Sequence, residues 1–238
     1  MGLFSIDGPL ARYLNVLADL VILNIFTVVL LTPFFCLLLL LSGFIPLNFL
    51  SIAFSACTVF CGAPVCALHY CMIRKVREEE GSLPRDYFRA CKENFKQGNL
   101  LWTGILLAFF VLYMDMQIAA AQGDGMIFTV LQVICGAMLL LVFFLLLYAF
   151  PLQARFVNPL KATVKNALLI SVYVFPRTIA QAVLFLMFPF LYYILGFGFF
   201  PVLLLFGFSV PVYLRAKLYV PVFSRFEEDG PKEDSSSL

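Results

Sequence analysis

Long runs of apolar residues, separated by shorter polar segments, dominate the chain. Six of these runs approach or exceed the ~20 residues that a helix needs to cross the hydrocarbon of a bilayer. Little of the chain shows the strict apolar/polar alternation typical of a membrane-spanning strand. The pattern therefore predicts an all-α, polytopic membrane protein with six transmembrane helices, at about residues 18–42, 48–73, 99–121, 126–150, 177–195 and 199–221.

Three of the connections between these runs are very short, at residues 43–47, 122–125 and 195–198. Short connections join antiparallel neighbours, so we expect three helical hairpins. The first run begins too late and continues too long to be typical of a cleaved signal peptide, and we keep it in the mature fold.

Composition agrees with a membrane protein. The chain is 63% hydrophobic and only 13% charged, and its mean hydropathy is +0.98, which leaves too little polar surface for a soluble domain. We interpret residues 1–226 as a single transmembrane domain. The end of the chain, residues 227–238, is polar and acidic, and we expect a disordered cytoplasmic tail.

The positions of the basic residues predict the orientation. None of the sixteen Lys and Arg lies in the three short connections. Under the positive-inside rule, six spans with both termini in the cytoplasm place every basic segment on the cytoplasmic side of the membrane. The last basic group of this cytoplasmic set comprises Arg215, Lys217, Arg225 and Lys232.

The connection after the second span contains the most polar stretch, "DYFRACKENFKQG", residues 86–98. At 3.6 residues per turn, Tyr87, Cys91 and Phe95 share one stripe, and basic side chains occupy the opposite side. Ser82 is a candidate cap, with Pro84 in the first turn. We expect an amphipathic interfacial helix whose candidate contact residues are Arg85, Tyr87, Phe88, Arg89, Lys92, Asn94, Phe95 and Lys96.

A second interfacial helix is expected in "NPLKATVKNALLIS". Asn158 is its candidate cap, Pro159 its first residue, and Pro176 marks its end before the fifth span. Its candidate contact residues are Lys161, Lys165 and Asn166, and its apolar face comprises Leu160, Val164, Ala167, Leu168 and Ser171. Two interpretations stay open for both helices: they anchor the chain on anionic lipid, or they form a docking face for another protein.

Three segments carry a family resemblance: "GLFSIDGPLARYLNVLADLVILN", "ALHYCMIRKVREEEGSLPRDYFRACKENFKQGNLLW" and "VKNALLISVYVFPRT". Together they resemble the YesL family of bacterial membrane proteins, a domain of unknown function. Members are commonly encoded beside carbohydrate-degrading enzymes and ABC-type sugar transporters, so the resemblance implies a role accessory to carbohydrate uptake. The matching signature positions include Phe4, Asp7, Gly8, Pro9, Asp19, Asn24, Pro176 and Arg177.

Ionisable residues in or near the spans are candidates for function because they are costly in lipid. Asp115 lies toward the outer end of the third span, close to Gln117. His69 is the sole histidine and cannot build a His-based metal site, so we expect a polar contact near the cytoplasmic end. Asp19 is expected to be solvated near a helix N-terminus.

The remaining chemistry is sparse. The seven cysteines form no C-x-x-C pair, and Cys57 and Cys61 fit a small-residue packing stripe better than a metal site or a disulfide framework. Phosphate-loop, nucleophile-elbow, zinc-protease and dinucleotide motifs are absent from the sequence. We therefore expect no cofactor, no enzymatic activity and no nucleic-acid partner.

Three functions remain as hypotheses. The preferred one is an accessory or assembly subunit that docks through its cytoplasmic helices onto a membrane complex, with subunits of a sugar ABC transporter as the implied partners. The second is an autonomous small transporter or channel, favoured by the prolines within the spans. The third is a membrane enzyme, which would need a polar cluster that the sequence pattern does not reveal. The pattern does not predict an oligomeric state.

Overall fold

The structure, a computed structural model, describes residues 9–42, 58–79, 81–122, 125–156 and 158–228. Within these residues the chain is helical and contains no strand. The helices are α1 (Pro9–Ser42), α2 (Gly62–Val76), α3 (Leu83–Glu93), α4 (Phe95–Ala121), α5 (Met126–Arg155), α6 (Leu160–Tyr173), α7 (Phe175–Leu195), α8 (Phe200–Phe206) and α9 (Ser209–Glu228), with 3-10 turns at Val59–Cys61 and Gly196–Phe199.

The predicted membrane class is confirmed. In the described residues, five helical stretches are long and apolar enough to cross a bilayer: Tyr13–Phe34, Val59–Val76, Phe95–Ala121, Met126–Arg155 and Phe175–Phe206. Large apolar side chains cover the outer faces of α4 and α5, as contact with lipid tails requires. The first connector, residues 43–47, and the start of the second predicted span lie outside the described residues.

Two of the predicted hairpins are visible. α4 packs along the length of α5. After α7 the chain reverses at Gly196, whose φ of +61° suits a residue without a Cβ atom. The Phe199 ring then lies 5.8 Å from the ring of Phe188, and α9 packs back against α7.

The sixth predicted span, residues 199–221, is not one continuous helix. α8 ends at Phe206 and α9 begins at Ser209. The break falls just before Pro211, which has no N–H and is tolerated in the first turn of a helix. α9 also carries Arg215 and Lys217, and it is not among the five stretches that meet the length and apolarity of a span.

Asn24 on α1 fills this break with its side-chain amide. Its Oδ1 accepts hydrogen bonds from the backbone N–H groups of Phe208 at 2.8 Å and Ser209 at 3.0 Å. Its Nδ2 donates to the carbonyl of Leu204 at 2.8 Å. One fully buried side chain therefore satisfies the end of α8 and the start of α9 together.

α2 lies at the centre of the bundle and contacts α3, α4, α5 and α9. It approaches α4 so closely that a Cβ atom on Gly62 would lie 2.1 Å from the carbonyl oxygen of Gly98. Cys61, Cys66 and Cys71 are buried in this region, where they serve as small packing residues. Cys57 lies outside the described residues.

The last helix extends past the predicted domain boundary. Glu227 and Glu228 belong to α9, so the predicted tail starts later than residue 227. Residues 229–238 lie outside the described part of the chain, and their disorder stays a prediction.

Candidate docking site

The helix α3 lies against its own chain and contacts α2 most extensively. Tyr87 and Ala90 are buried on this side. The Tyr87 hydroxyl lies 3.1 Å from the hydroxyl of Thr27 on α1 and 3.4 Å from the carbonyl of Pro64 on α2. Burial raises the pKa of Tyr87 well above its usual range, so the phenol stays protonated and neutral. Tyr87 is thus a core residue and not the contact residue that its stripe predicted.

The predicted helix over residues 86–97 is divided at Asn94. α3 ends at Glu93, and Phe95 and Lys96 are the first residues of α4. The Asn94 side chain turns back and donates to the carbonyl of Ala90 at 3.0 Å. Asn94 itself leaves the helical conformation, and residues on both sides of it line a common space.

That space is a groove of about 940 Å³, here called the α3–α4 groove. Five of the predicted contact residues line it, and its far wall comes from the end of α5. Phe88, Lys92, Phe95 and Lys96 are exposed there. An apolar surface flanked by cationic groups suits an amphipathic, anionic partner. The predicted residues in the groove are Phe88, Lys92, Asn94, Phe95 and Lys96.

Four acidic residues around this end of the bundle form ion pairs. Asp19, which was expected to be simply solvated, pairs with Lys75. The other pairs join Asp86 to Arg74 and Arg89, Glu79 to Arg74 and Arg155, and Glu93 to Arg89.

By contrast, Arg85, Lys92 and Lys96 make no ion pair within the described residues. Among the described residues at this end, unpaired charge is therefore mostly positive, although the whole chain carries a formal net charge of only +2.

Two side-chain hydrogen bonds at the edge of the groove connect the two predicted interfacial helices. Gln153 on α5 donates to Gln97 on α4 at 2.6 Å, and Thr163 on α6 donates to Gln153 at 3.2 Å. Gln153 is 5% exposed and Thr163 is fully buried. The sequence prediction missed this connection because these residues lie in three different helices.

The second predicted interfacial helix is α6, and it begins at Leu160, with Pro159 and not Asn158 at the cap position. Its buried face is rotated from the predicted one and consists of Thr163, Ala167, Ile170 and Ser171. Lys161 and Lys165 are exposed without an ion pair in the described chain. Asn166 borders a separate apolar cavity of about 430 Å³, and no residue of α6 is among those that line the α3–α4 groove.

The remaining predicted residues lie in different parts of the chain. Phe4, Asp7 and Gly8 lie outside the described residues, and Pro9 is the first residue of α1. Pro176 stands in the first turn of α7, beside half-exposed Arg177. Asp115 is exposed on α4 and has no ion pair among the described residues.

His69 belongs to a buried polar cluster that the sequence pattern did not reveal. Its Nδ1 lies 3.0 Å from the hydroxyl of Tyr219. One turn earlier on α9 is Arg215, which was assigned to the cytoplasmic basic set but is only 3% exposed. Nearby, the Tyr148 hydroxyl lies 3.1 Å from the Thr178 hydroxyl. The sequence contains one signal for this cluster. Thr178 and Gln181 are polar residues in an apolar run, and their spacing of three places them on the same side of a helix.

The α3–α4 groove lies largely within the part of the chain that resembles a known family. The model of a family described as "Protein of unknown function, DUF624" matches residues 13–116. This match runs from α1 into α4 and covers less than half of the chain. The chain matches no curated protein and no solved structure.

Proposed function

We propose that this protein is an accessory or assembly subunit of a membrane complex, and that the complex is an ABC-type sugar transporter. The transporter part of the proposal rests on the resemblance to the YesL family. The docking part rests on the α3–α4 groove, which collects five residues that the sequence pattern predicts as contacts. The proposal assigns no catalytic role.

The chemistry of the groove limits its partner. Phe88 and Phe95 offer apolar contact, while Lys92 and Lys96 offer unpaired positive charge within the described chain. We expect an amphipathic segment that combines aliphatic or aromatic side chains with carboxylates. Because Tyr87 fixes α3 to α1 and α2, this wall of the groove is largely preorganised, and binding would cost little ordering entropy.

The proposal also includes an orientation: six spans in a bacterial plasma membrane, with the groove and both termini in the cytoplasm. The interrupted α8–α9 segment would supply the sixth span. A fluorescent protein that matures only in the cytoplasm, fused to either terminus, tests this arrangement. Fluorescence from both fusions is expected, and a dark fusion at one terminus would contradict an even number of spans.

Co-purification from the native membrane tests the docking proposal. Tagged wild type is extracted in mild detergent beside Lys92→Glu/Lys96→Glu, and the recovered proteins are identified by mass spectrometry. The matched control is Lys161→Glu/Lys165→Glu, which makes the same charge change on α6, outside the groove. We expect transporter subunits with wild type and with the control, and their loss with the groove variant.

The other outcomes are equally informative. A partner retained by the groove variant would remove the groove from the proposal. Loss with both variants would indicate a general electrostatic attraction. Absence of any specific partner with wild type would overturn the accessory role. It would favour the second candidate, an autonomous transporter or channel. The break between α8 and α9 supports that candidate, because it resembles the discontinuous helices of transporters.

A further inference from the structure

Arg215 is a buried cation in the middle of the helical bundle. Its side chain is 3% exposed, and its guanidinium lies 5.3 Å from the centre of the Phe185 ring on α7. A guanidinium is effectively always protonated in a protein. The fold therefore encloses a full positive charge between α5, α7 and α9.

One hydrogen bond of Arg215 has a structural explanation. Pro151 has no N–H, so it leaves the Leu147 carbonyl on α5 without its usual helical donor. The Nη2 of Arg215 donates to this carbonyl at 2.8 Å. This bond uses a single donor, whereas a guanidinium carries five N–H groups. The Nε of Arg215 is buried and has no hydrogen-bond partner within the described residues.

Arg215 also has no counterion in the described part of the chain. Each ion pair among the described residues involves another basic residue, and none includes Arg215. A buried charge without a partner carries a large desolvation penalty. In membrane proteins such a residue marks a functional site by default.

A second buried polar group, Gln181, lies near Tyr148, which in turn interacts electrostatically with Arg215. Gln181 is fully buried on α7, one turn before Phe185 and one turn after Thr178. It lies close to Tyr148, yet neither its amide oxygen nor its amide nitrogen makes a hydrogen bond of normal length in the described chain. Unsatisfied groups of this kind in a native fold point to an ordered water or a bound ion.

The other polar groups of the cluster are hydrogen-bonded to one another or to the backbone. The Thr178 hydroxyl donates to the Ser171 carbonyl at 2.7 Å, so it accepts from the fully buried Tyr148 hydroxyl. His69 bonds the hydroxyl of Tyr219 and is also buried. A cation would be repelled by Arg215, whereas an anion would gain its charge and the unpartnered N–H groups of Arg215 and Gln181.

We propose that Arg215 and Gln181 bind a small monovalent anion, of the size of chloride or formate, inside the bundle. The anion would accept from the Arg215 Nε and the Gln181 Nε2 and would neutralise the guanidinium. Gln181, Tyr148 and Tyr219 are completely buried, so we propose only a ligand of a few atoms. This inference does not depend on the docking proposal.

Thermal stability of the purified protein in nanodiscs tests the site. Chloride or formate is titrated against gluconate, a bulky anion, at constant ionic strength, and unfolding is followed by the fluorescence of the single tryptophan, Trp102. In wild type we expect a saturable rise in the melting temperature with either small anion. Arg215→Met should abolish this rise, and Gln181→Leu should raise the concentration at half-saturation about 10-fold, the cost of one hydrogen bond to a charged group.

The control is Lys217→Met, which removes the same charge from the same helix at an exposed side chain. It should retain the wild-type response. If Arg215→Met does not fold, Gln181→Leu and the control decide the matter. A wild type that responds equally to gluconate and to the small anions would overturn the proposal, as would a response that persists unchanged in Arg215→Met or in Gln181→Leu.

Discussion

The hydroxyl groups of Tyr87 and Thr27 lie 3.1 Å apart in the buried core, although the two residues are 60 positions apart in the chain. Replacing Tyr87 by Phe removes this bond and keeps the ring that packs near Phe26. We expect a loss of about 1 kcal/mol in the free energy of unfolding. Unfolding in mixed micelles titrated with a denaturing detergent measures it.

The pair Tyr87→Phe and Thr27→Val forms a double-mutant cycle, in which the second change should cost less once the first is present. Tyr13→Phe is the matched control, because Tyr13 is 75% exposed. Equal losses from Tyr13→Phe and Tyr87→Phe would show that α3 is not held by this contact.

Because α2 and α4 approach each other closely, we expect the stability cost of a Gly→Ala substitution to depend strongly on its position. Gly62→Ala would place a Cβ atom 2.1 Å from a backbone oxygen and 2.8 Å from the Trp102 Cβ, so the helices must move apart. We expect a loss of roughly 1–3 kcal/mol, seen as a lower melting temperature.

Gly104→Ala on α4 is the control, since the methyl group that this change adds would have nothing within 4 Å of it. It should be neutral or should stabilise by up to ~1 kcal/mol, because alanine is the better helix former. A Gly62→Ala protein as stable as Gly104→Ala would contradict the contact between α2 and α4.

Asn24→Ala would leave the α8–α9 break without its three side-chain hydrogen bonds. We expect the free energy of unfolding to fall by about 2 kcal/mol, at the upper end for a lost helix cap. Faster hydrogen exchange of the Phe208 and Ser209 amides should accompany the loss. Asn15→Ala, at an exposed position on the same helix, should change neither quantity.

The Leu147 carbonyl provides a test of the contact made by Arg215. Pro151→Ala restores the helical N–H that this carbonyl lacks. In the Arg215→Met background this change should therefore stabilise by ~1 kcal/mol more than it does in the wild-type background. Thermal unfolding of the four proteins in gluconate gives the coupling energy. A coupling of zero would mean that Leu147 and Arg215 are not energetically linked.

The parts of the fold that the sequence predicts well are those governed by local pattern. The apolar runs of α4 and α5 are continuous, and a short connection joins them, so both spans and their pairing follow from length alone. The position of Pro84 in the first turn of α3 follows from the preference of proline for this turn, whereas Ser82 stands at the N-cap position without a side-chain capping hydrogen bond.

The parts that depend on distant contacts could not be predicted. Periodicity places Tyr87 on a stripe but does not state whether lipid, a partner or α1 covers that stripe. The positive-inside rule counts Arg215 as a cytoplasmic charge, because it has no information about the carbonyl that Pro151 leaves open on α5. Asn24 was visible as a signature position, but its role depends on a helix break 180 residues later.

The Asn24 contact also constrains the order in which the bundle can be assembled during synthesis. α1 leaves the ribosome first, whereas Leu204, Phe208 and Ser209 emerge only after the helices α2 to α7 have been made. Until then, the Asn24 amide has none of its final partners, and its exposure to lipid would be costly. The newly inserted chain therefore needs water, a neighbouring polar group or an insertion factor around α1 until its last two helices arrive.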